Sequence, residues 1–556
     1  MKPRKGTVAP RAAPAAGTPA APAPTPGVDP AWLTPRVAQG VLVGILALYA
    51  LLTLPYLTTC PPIDNVGDES WMMSASAELL RTGRPVAALH AGTSVAEKVS
   101  ITVGWVYQGL LALFLAVFGV HVWAGRLLSW LCGGGALGLT YLLGRRVSGR
   151  LAGLIAALLL GTNLLFAWHS REVRPEAMLL LAAALALYLF LRGLEEERGR
   201  WLLWAGLTAT LAVEIHPNGG VVALTLVVLY AAARARRLWS RPTLLLAAGL
   251  AAGTVVWLLA NVLPGDASSF ADVHGKYVPP VLRKGLGELL EAGALAVAGL
   301  VHPRALGIYR ERFGSIAPLA ALYAVYALVV AGLVVARRRG PLLLVAVSVP
   351  LVVLLGSFLV GQWTWAHHSV VFAAAAVTAG AAFVELGARL RGLARWLAPA
   401  AAALVLAGVN VTDVMARNLA LRDYDFGALV REVREAVPPG ATVVGDGIYW
   451  HAFRGTDRRF STFLVLEERC PHFPSELRAR GVEYLLADDS LMTVAAMWCS
   501  ARYPQEQILP FLRDEAVLVK HLPLDYPHAF GRNGHLNFVR VYRVLPEGQP
   551  PPAGPR

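Results

Sequence analysis

Apolar runs of about twenty residues recur along this chain from residue 37 to residue 413. No other feature limits its fold as strongly. A helix needs roughly 17–25 such residues to cross a hydrocarbon layer about 30 Å thick, and only helices or closed barrels satisfy their own backbone there. Charged residues are 15% of the 556, against roughly 25% in soluble domains. The chain reads as a polytopic helical membrane protein, not a soluble one.

Its net charge of +14 is explained by topology before any acidic partner is invoked. Arginines cluster between the apolar runs: Arg145, Arg146 and Arg150; Arg192, Arg198 and Arg200; Arg234, Arg236, Arg237 and Arg241; Arg337, Arg338 and Arg339; Arg389, Arg391 and Arg395. Short basic loops stay cytoplasmic. Placing all five inside puts the loops that begin near His169, His216, Pro264 and Gln362 outside, together with everything beyond Asp413. Nucleic acid is not implied as a partner; membrane lipids are.

About eleven spans follow, at 37–57, 123–144, 150–168, 176–193, 200–215, 218–234, 243–263, 316–336, 341–361, 367–386 and 394–413. The stretch "GWVYQGLLALFLAVFG" is too short for a span, and counting it as one would invert every later loop. It reads as a helix lying at the outer interface. Residues 1–35 are Ala/Pro-rich and lack the composition to build a core, so they read as a disordered cytoplasmic tail. Residues 36–415 form the membrane domain, with 58–122 its first extracytoplasmic segment, and 546–556 a second disordered tail.

From residue 416 to 545 the pattern changes. "FGALVREVREAVPPGATVVGDG" and "ELRARGVEYLLADD" each read as helix, turn, buried strand, and "NFVRVYRV" alternates as a half-buried strand. A small α/β domain with a partly parallel sheet is expected outside the membrane. Cys470 and Cys499 both belong to it, where a disulfide is chemically permitted; the sequence leaves their pairing open.

Ionisable residues are nearly absent from the spans and gather in the outer loops. "DNVGDESWMMSASAELLRTGRP", just after the first span, supplies Asp68 and Glu69, and "EKVSITVGWVYQ" supplies Glu97 and Lys98. "WHSREVRPEA" contributes Arg174 and Glu176, "EIHPNG" His216, and "DVHGKY" His274 and Lys276. Carboxylates, cations and imidazoles on one face suit a lipid-anchored anionic substrate, whose tail stays among helices while its head reaches water. Cations would hold a phosphate by charge-assisted hydrogen bonds, and a carboxylate would take a proton from an acceptor.

In this order and placement, "GDESWMMSASAELLRTGRP", "EKVSITVGWVYQ", "SREVRPEAMLLLAAALALYLFLRG" and "HPNGG" resemble the GT-C glycosyltransferases. The likeness is to the protein O-mannosyltransferase and lipid A aminoarabinose transferase (PMT-like) branch, over about residues 37–415. The resemblance implies a GT-C-like bundle of about eleven transmembrane helices with a C-terminal extracytoplasmic α/β domain. It implies inverting transfer of a sugar from a polyprenyl-phosphate donor to an envelope lipid, glycan or protein hydroxyl. Asp68 would be the base, with Glu69 beside it as its catalytic neighbour. Lys98, His274, Lys276 and Arg174 would hold the donor phosphate. Glu97, Glu176 and His216 could bind acceptor or a divalent metal cation, the one cofactor such residues suggest.

Three departures from the branch stand out: Val99 follows Glu-Lys, Ser70-Trp71 follows Asp-Glu, and the second acid is Glu176. They leave sugar and acceptor open. A transporter or flippase of lipid-linked glycans would need polar groups through the midplane, and a non-catalytic scaffold would need none of the acidic layer. The Ala- and Arg-rich composition fits a bacterial plasma membrane, with the amino end inside.

Overall fold

The computed structural model describes residues 29–59, 68–90, 103–234, 239–262, 340–360, 370–463, 470, 472–532 and 535–549. The membrane domain is built from α1 (Pro35–Thr53), α2 (Asp68–Thr82), α3 (Trp105–Phe118), α4 (Val122–Ser148), α5 (Arg150–Thr162), α6 (Glu176–Glu195), α7 (Gly199–Leu211), α8 (Gly219–Arg234), α9 (Arg241–Trp257), α10 (Gly340–Val360), α11 (Phe372–Gly387) and α12 (Ala394–Leu421). Among the described residues, five helical stretches are long and apolar enough to cross a membrane: Pro35–Thr58, Val122–Ser148, Glu176–Glu195, Arg241–Asn261 and Ala394–Ala416; five shorter apolar helices accompany them. The span expected at 316–336 lies outside the described residues.

Helix α4 is the ruler of the bundle. Arg126 near its start is paired with Glu69 of α2, and Arg146 near its end is paired with Glu195 at the end of α6, 2.6 Å away. Twenty residues of helix separate the two arginines by about 30 Å, the depth of a hydrocarbon core. The Asp68 end and the arginine-cluster end are therefore opposite ends of the bundle. Lipid tails are as apolar as leucine, so helices in a bilayer associate through close packing of small residues. Here a Cβ added to Gly144 of α4 would lie 2.6 Å from Gly153 Cα of α5.

The last residues of the expected amino-terminal tail are packed. Leu33 is buried, and Asp29 Oδ1 accepts from the Leu151 backbone N–H at 3.3 Å, satisfying the start of α5. A buried leucine and a cap are enough to order this short stretch.

Helix α12 continues beyond its apolar run to Leu421 and leads into the α/β domain. That domain contains α13 (Phe426–Glu435), β1 (Thr442–Gly445), β2 (Arg459–Thr462), α14 (Phe473–Ala479), β3 (Tyr484–Asp488), α15 (Asp489–Trp498), α16 (Leu509–Asp514), β4 (Ala516–Arg532) and β5 (His535–Val544). Strand order is β2-β1-β3-β5-β4. β1 runs parallel to β2 and β3, and β5 runs antiparallel to β3 and β4. Both faces are covered. Val443 and Leu486 pack with Leu429 and Val433 of α13 on one side, while Val444 and Leu485 pack with Leu477, Leu491 and Phe511 on the other. This is the period-two alternation of strands buried on both faces. Cys470 and Cys499 are joined by a disulfide, their Cα atoms 5.4 Å apart.

Candidate active site

Helix α2 opens on two acids that point to different partners. Asp68 is ion-paired with Arg174. The same guanidinium donates to Glu176 Oε1 from Nη2 at 2.7 Å and from Nε at 3.0 Å. Arg174 thus bridges two carboxylates from two chain segments. Glu69 instead turns inward. Its Oε1 accepts from Arg126 Nε at 2.9 Å and from the Val173 backbone N–H at 2.8 Å, and its Oε2 accepts from Arg126 Nη2 at 2.7 Å. Glu69 and Arg126 are both 2% exposed, and this bidentate pair fixes where α2 begins.

The loop between α5 and α6 carries the partners of both acids. It is held from several sides. Ser129 Oγ of α4 donates to the Arg174 carbonyl at 3.2 Å. Trp168 Nε1 donates to Glu172 Oε1 at 2.5 Å, with His169 Nδ1 3.3 Å from Glu172 Oε2. Arg171 stacks 4.7 Å over the Trp168 ring and donates to Asn418 of α12, whose Nδ2 donates to the Leu52 carbonyl of α1 at 2.8 Å. A loop bonded to α2, α4 and α12, and through Asn418 to α1, holds Arg174 in place.

The charges are unequal in their effects. Asp68 keeps 26% of its side chain exposed, yet burial is the largest influence on its carboxyl. Arg174 acts against that burial, while Glu176 and Glu172 reinforce it, and the carboxyl is raised to about 6. Burial opposes the charge of Arg174, but Glu176 and Asp68 more than offset it and the guanidinium stays protonated. His216 feels both Glu176 and Arg174; burial dominates and lowers it to about 4, so its ring is neutral at physiological pH. Its Nδ1 accepts from the Asn218 backbone N–H at 3.2 Å, closing the turn before α8.

Among the described residues, the buried polar atoms at this end without a hydrogen-bond partner include Glu176 Oε2 and the Tyr107 hydroxyl of α3. Tyr107 lies close enough to feel the charges of Glu176, Arg174 and Glu69. Helix α3 is itself anchored at this end. Glu214 Oε2 accepts from the Trp105 backbone N–H at 3.1 Å, and its Oε1 accepts from Asn261 Nδ2 at 2.6 Å. Position 104 must be glycine, because a Cβ there would overlap the Glu214 backbone.

The α/β domain closes over α2. The Gly447–Tyr449 turn packs on α2, and Trp450 packs on the membrane-domain core. His90 Nδ1 is 2.7 Å from Thr462 Oγ1 of β2, both buried, and its ring is 5.8 Å from that of Trp71. His451 is buried between Phe426 and Trp450, and burial, with Arg454 and Arg126 adding to it, lowers it to about 3.

Of the expected site residues, Asp68, Arg174 and Glu176 meet in one cluster, with His216 in its field and Glu69 behind it. Glu97, Lys98, His274 and Lys276 lie outside the described residues. Arg126 was not among the expected residues, although an arginine within the first turns of an apolar run is a rare event that signals a buried partner. Tyr107, Asn418 and Trp450 carried no such signal. Among the described residues no three His, Cys, Asp or Glu side chains group as a metal would require. Asp68 and Glu176 share the Arg174 guanidinium, and Glu97, the other expected ligand, lies outside the described residues.

Residues 102–259 match the family model of dolichyl-phosphate-mannose-protein mannosyltransferases, a stretch that holds Arg174, Glu176 and His216 but not Asp68. No curated protein gives a significant match. Among solved structures, ArnT from Cupriavidus metallidurans bound to undecaprenyl phosphate has a TM-score of 0.57 at 14% identity, covering 93% of this chain and 100% of that one. The oligosaccharyltransferase of Archaeoglobus fulgidus in complex with Zn and sulfate gives 0.57 at 14%, covering 91% and 74%. AglB of the same organism, with an inhibitory peptide and a dolichol-phosphate, gives 0.53 at 14%, covering 93% and 75%. At such identities the likeness is one of fold: the chain shares the architecture of these membrane glycosyltransferase structures, and the family match is confined to residues 102–259.

Proposed function

We propose that this protein transfers a sugar, with inversion, from a polyprenyl-phosphate donor to a hydroxyl of an envelope lipid, glycan or protein at the extracytoplasmic face. It would sit in the cell membrane with its amino end inside and its α/β domain outside. The observation that carries the reading is the Asp68–Arg174–Glu176 cluster at the end of the bundle opposite the arginine clusters. Two structural neighbours hold polyprenyl phosphates, and the arrangement here suits the same class of donor.

In the proposed step the acceptor O–H gives its proton to Asp68, and its oxygen attacks the anomeric carbon. The bond from that carbon to the phosphate oxygen breaks, and the polyprenyl phosphate leaves with the electron pair. A carboxyl raised to about 6 is ionised at neutral pH and a better base than an ordinary aspartate. Arg174 orients it and stands ready, with Lys98, His274 and Lys276, to offset the phosphate charge. Glu69 holds the helix that presents Asp68. Glu176 Oε2 and the Tyr107 hydroxyl, without a hydrogen-bond partner among the described residues, offer polar atoms to the acceptor or donor. A divalent cation, if one takes part, would have to be held with the help of Glu97.

The test is Asp68→Asn, assayed for transfer from a polyprenyl-phosphate sugar and separately for donor binding. Transfer should fall by about 10²–10⁴-fold while the donor still binds. Unchanged transfer removes Asp68 from the chemistry. Movement of donor across vesicles with no new glycosidic bond would make the protein a transporter.

A further inference from the structure

The α/β domain carries a cavity of about 230 Å³ whose walls include Met492, Leu512, Arg513, Phe538, Arg540 and Tyr542. Pockets for drug-sized ligands are roughly 300–1,000 Å³, so this one suits a single ring. Its composition is specific. Phe538, Arg540 and Tyr542 alternate along β5 and so project from one face. The Arg540 guanidinium lies 4.5 Å over the Phe538 ring and donates from Nε to His521 Nδ1 at 3.3 Å. It meets no carboxylate among the described residues. Arg513 is paired with its own neighbour Asp514 at 2.6 Å, and both are more than half exposed; such surface pairs contribute about 0–1 kcal/mol and yield readily to a better anion.

The one acid in the wall is already engaged. Asp488 accepts from Tyr449 Oη at 2.7 Å, Ser490 Oγ at 2.6 Å and the Leu491 backbone N–H at 3.0 Å. What remains is an apolar and aromatic wall with two guanidiniums at its rim. Aromatic faces receive the apolar face of a sugar ring, and guanidinium forks receive carboxylate or phosphate oxygens. A neutral sugar would leave Arg540 uncompensated; a purely apolar ligand would desolvate it.

The position adds to the chemistry. Arg540 is in register with Ala487, so the cavity opens at the carboxyl end of β3, the end where open α/β sheets bind ligands. Ser490 Oγ also lies 2.9 Å from Asp446 Oδ2, and Asp446 leads into the Gly447–Tyr449 turn that packs on α2. A buried hydrogen-bonded network thus runs from the cavity wall to the turn that packs on the helix beginning with Asp68.

We propose that this cavity binds an anionic sugar unit, bearing a carboxylate or phosphate, of the acceptor glycan. The assignment of the sugar to the acceptor rests on the transferase reading above; the binding itself does not. The test uses the full-length protein in detergent, titrated with a glucuronate-containing disaccharide, glucose 6-phosphate, a neutral glucose disaccharide and inorganic phosphate. The acidic sugars should bind at least about tenfold more tightly than the neutral one, and Arg513→Gln with Arg540→Gln should remove that preference without lowering the thermal midpoint. Equal binding of acidic and neutral sugars, an unchanged preference in the double variant, or inorganic phosphate competing as well as the acidic sugars would overturn it. No donor is present, so the two readings fail separately. Full transfer by Asp68→Asn with the sugar preference intact sinks the mechanism alone. Loss of the preference, with Asp68→Asn still inactive, sinks the cavity alone.

Discussion

Arg126 and Glu69 meet as a bidentate pair, Nε to Oε1 at 2.9 Å and Nη2 to Oε2 at 2.7 Å, with both side chains 2% exposed. Removing one member of such a pair leaves a buried charge uncompensated, at about 3–5 kcal/mol. Glu69→Gln and Arg126→Met should each lower the thermal midpoint clearly, and transfer with it. Asp68→Asn, a single residue away, should leave the midpoint nearly unchanged. Equal thermal losses at 68 and 69 would contradict the division between chemistry and support.

Transfer should depend on pH through Asp68. Its carboxyl is raised to about 6, chiefly by burial, and a base works only when ionised. The rate should therefore rise as pH climbs through about 6 and level off above. Arg174 pulls that value down, so Arg174→Gln should shift the rising limb to higher pH as well as weaken donor binding. A pH–rate profile flat from 5 to 8 would exclude Asp68 as the titrating base.

Gly104→Ala should destabilise the start of α3, since the new methyl would overlap the Glu214 backbone. Overpacking of this kind costs about 1–3 kcal/mol. Alanine at Gly109, on the same helix with open space around it, is the control, and thermal unfolding of the two variants provides the comparison.

Trp450 fastens the α/β domain to the membrane core. Trp450→Ala should speed proteolysis at the 422–425 connection and reduce transfer, because the turn that packs on α2 loses its anchor. Identical cleavage rates in variant and parent would show the contact to be incidental.

The disulfide between Cys470 and Cys499 spans 29 residues. On chain-entropy grounds a loop of that length is worth about 3–4 kcal/mol. Reductant should lower the unfolding midpoint of the α/β domain, and the effect should vanish in a Cys470→Ser, Cys499→Ser variant.

The apolar runs by themselves determined the bundle, because span length and charge distribution are properties of local sequence and the bilayer reads them directly. Helix–turn–strand patterns likewise revealed α13–β1, α14–β3 and β5. Strand β2, only four residues long, and β4, seventeen residues carrying two prolines and a glycine, escaped notice: one is too short for a periodicity, and the other is assembled by pairing with β5. Asp68, Arg174 and Glu176 were legible because polar residues are scarce in such a chain. The choice of Asp68 as base rests on the family resemblance; which of the two acids turns inward was not legible. Asp68 and Glu69 are neighbours of the same chemistry on the same helical turn, and only the packing of Arg126 from α4 and Val173 from the next loop turns one of them inward and leaves the other with Arg174. That choice depends on residues 57 and 104 positions away in the chain, and side-chain direction across such distances is set by the folded neighbours, not by the local string.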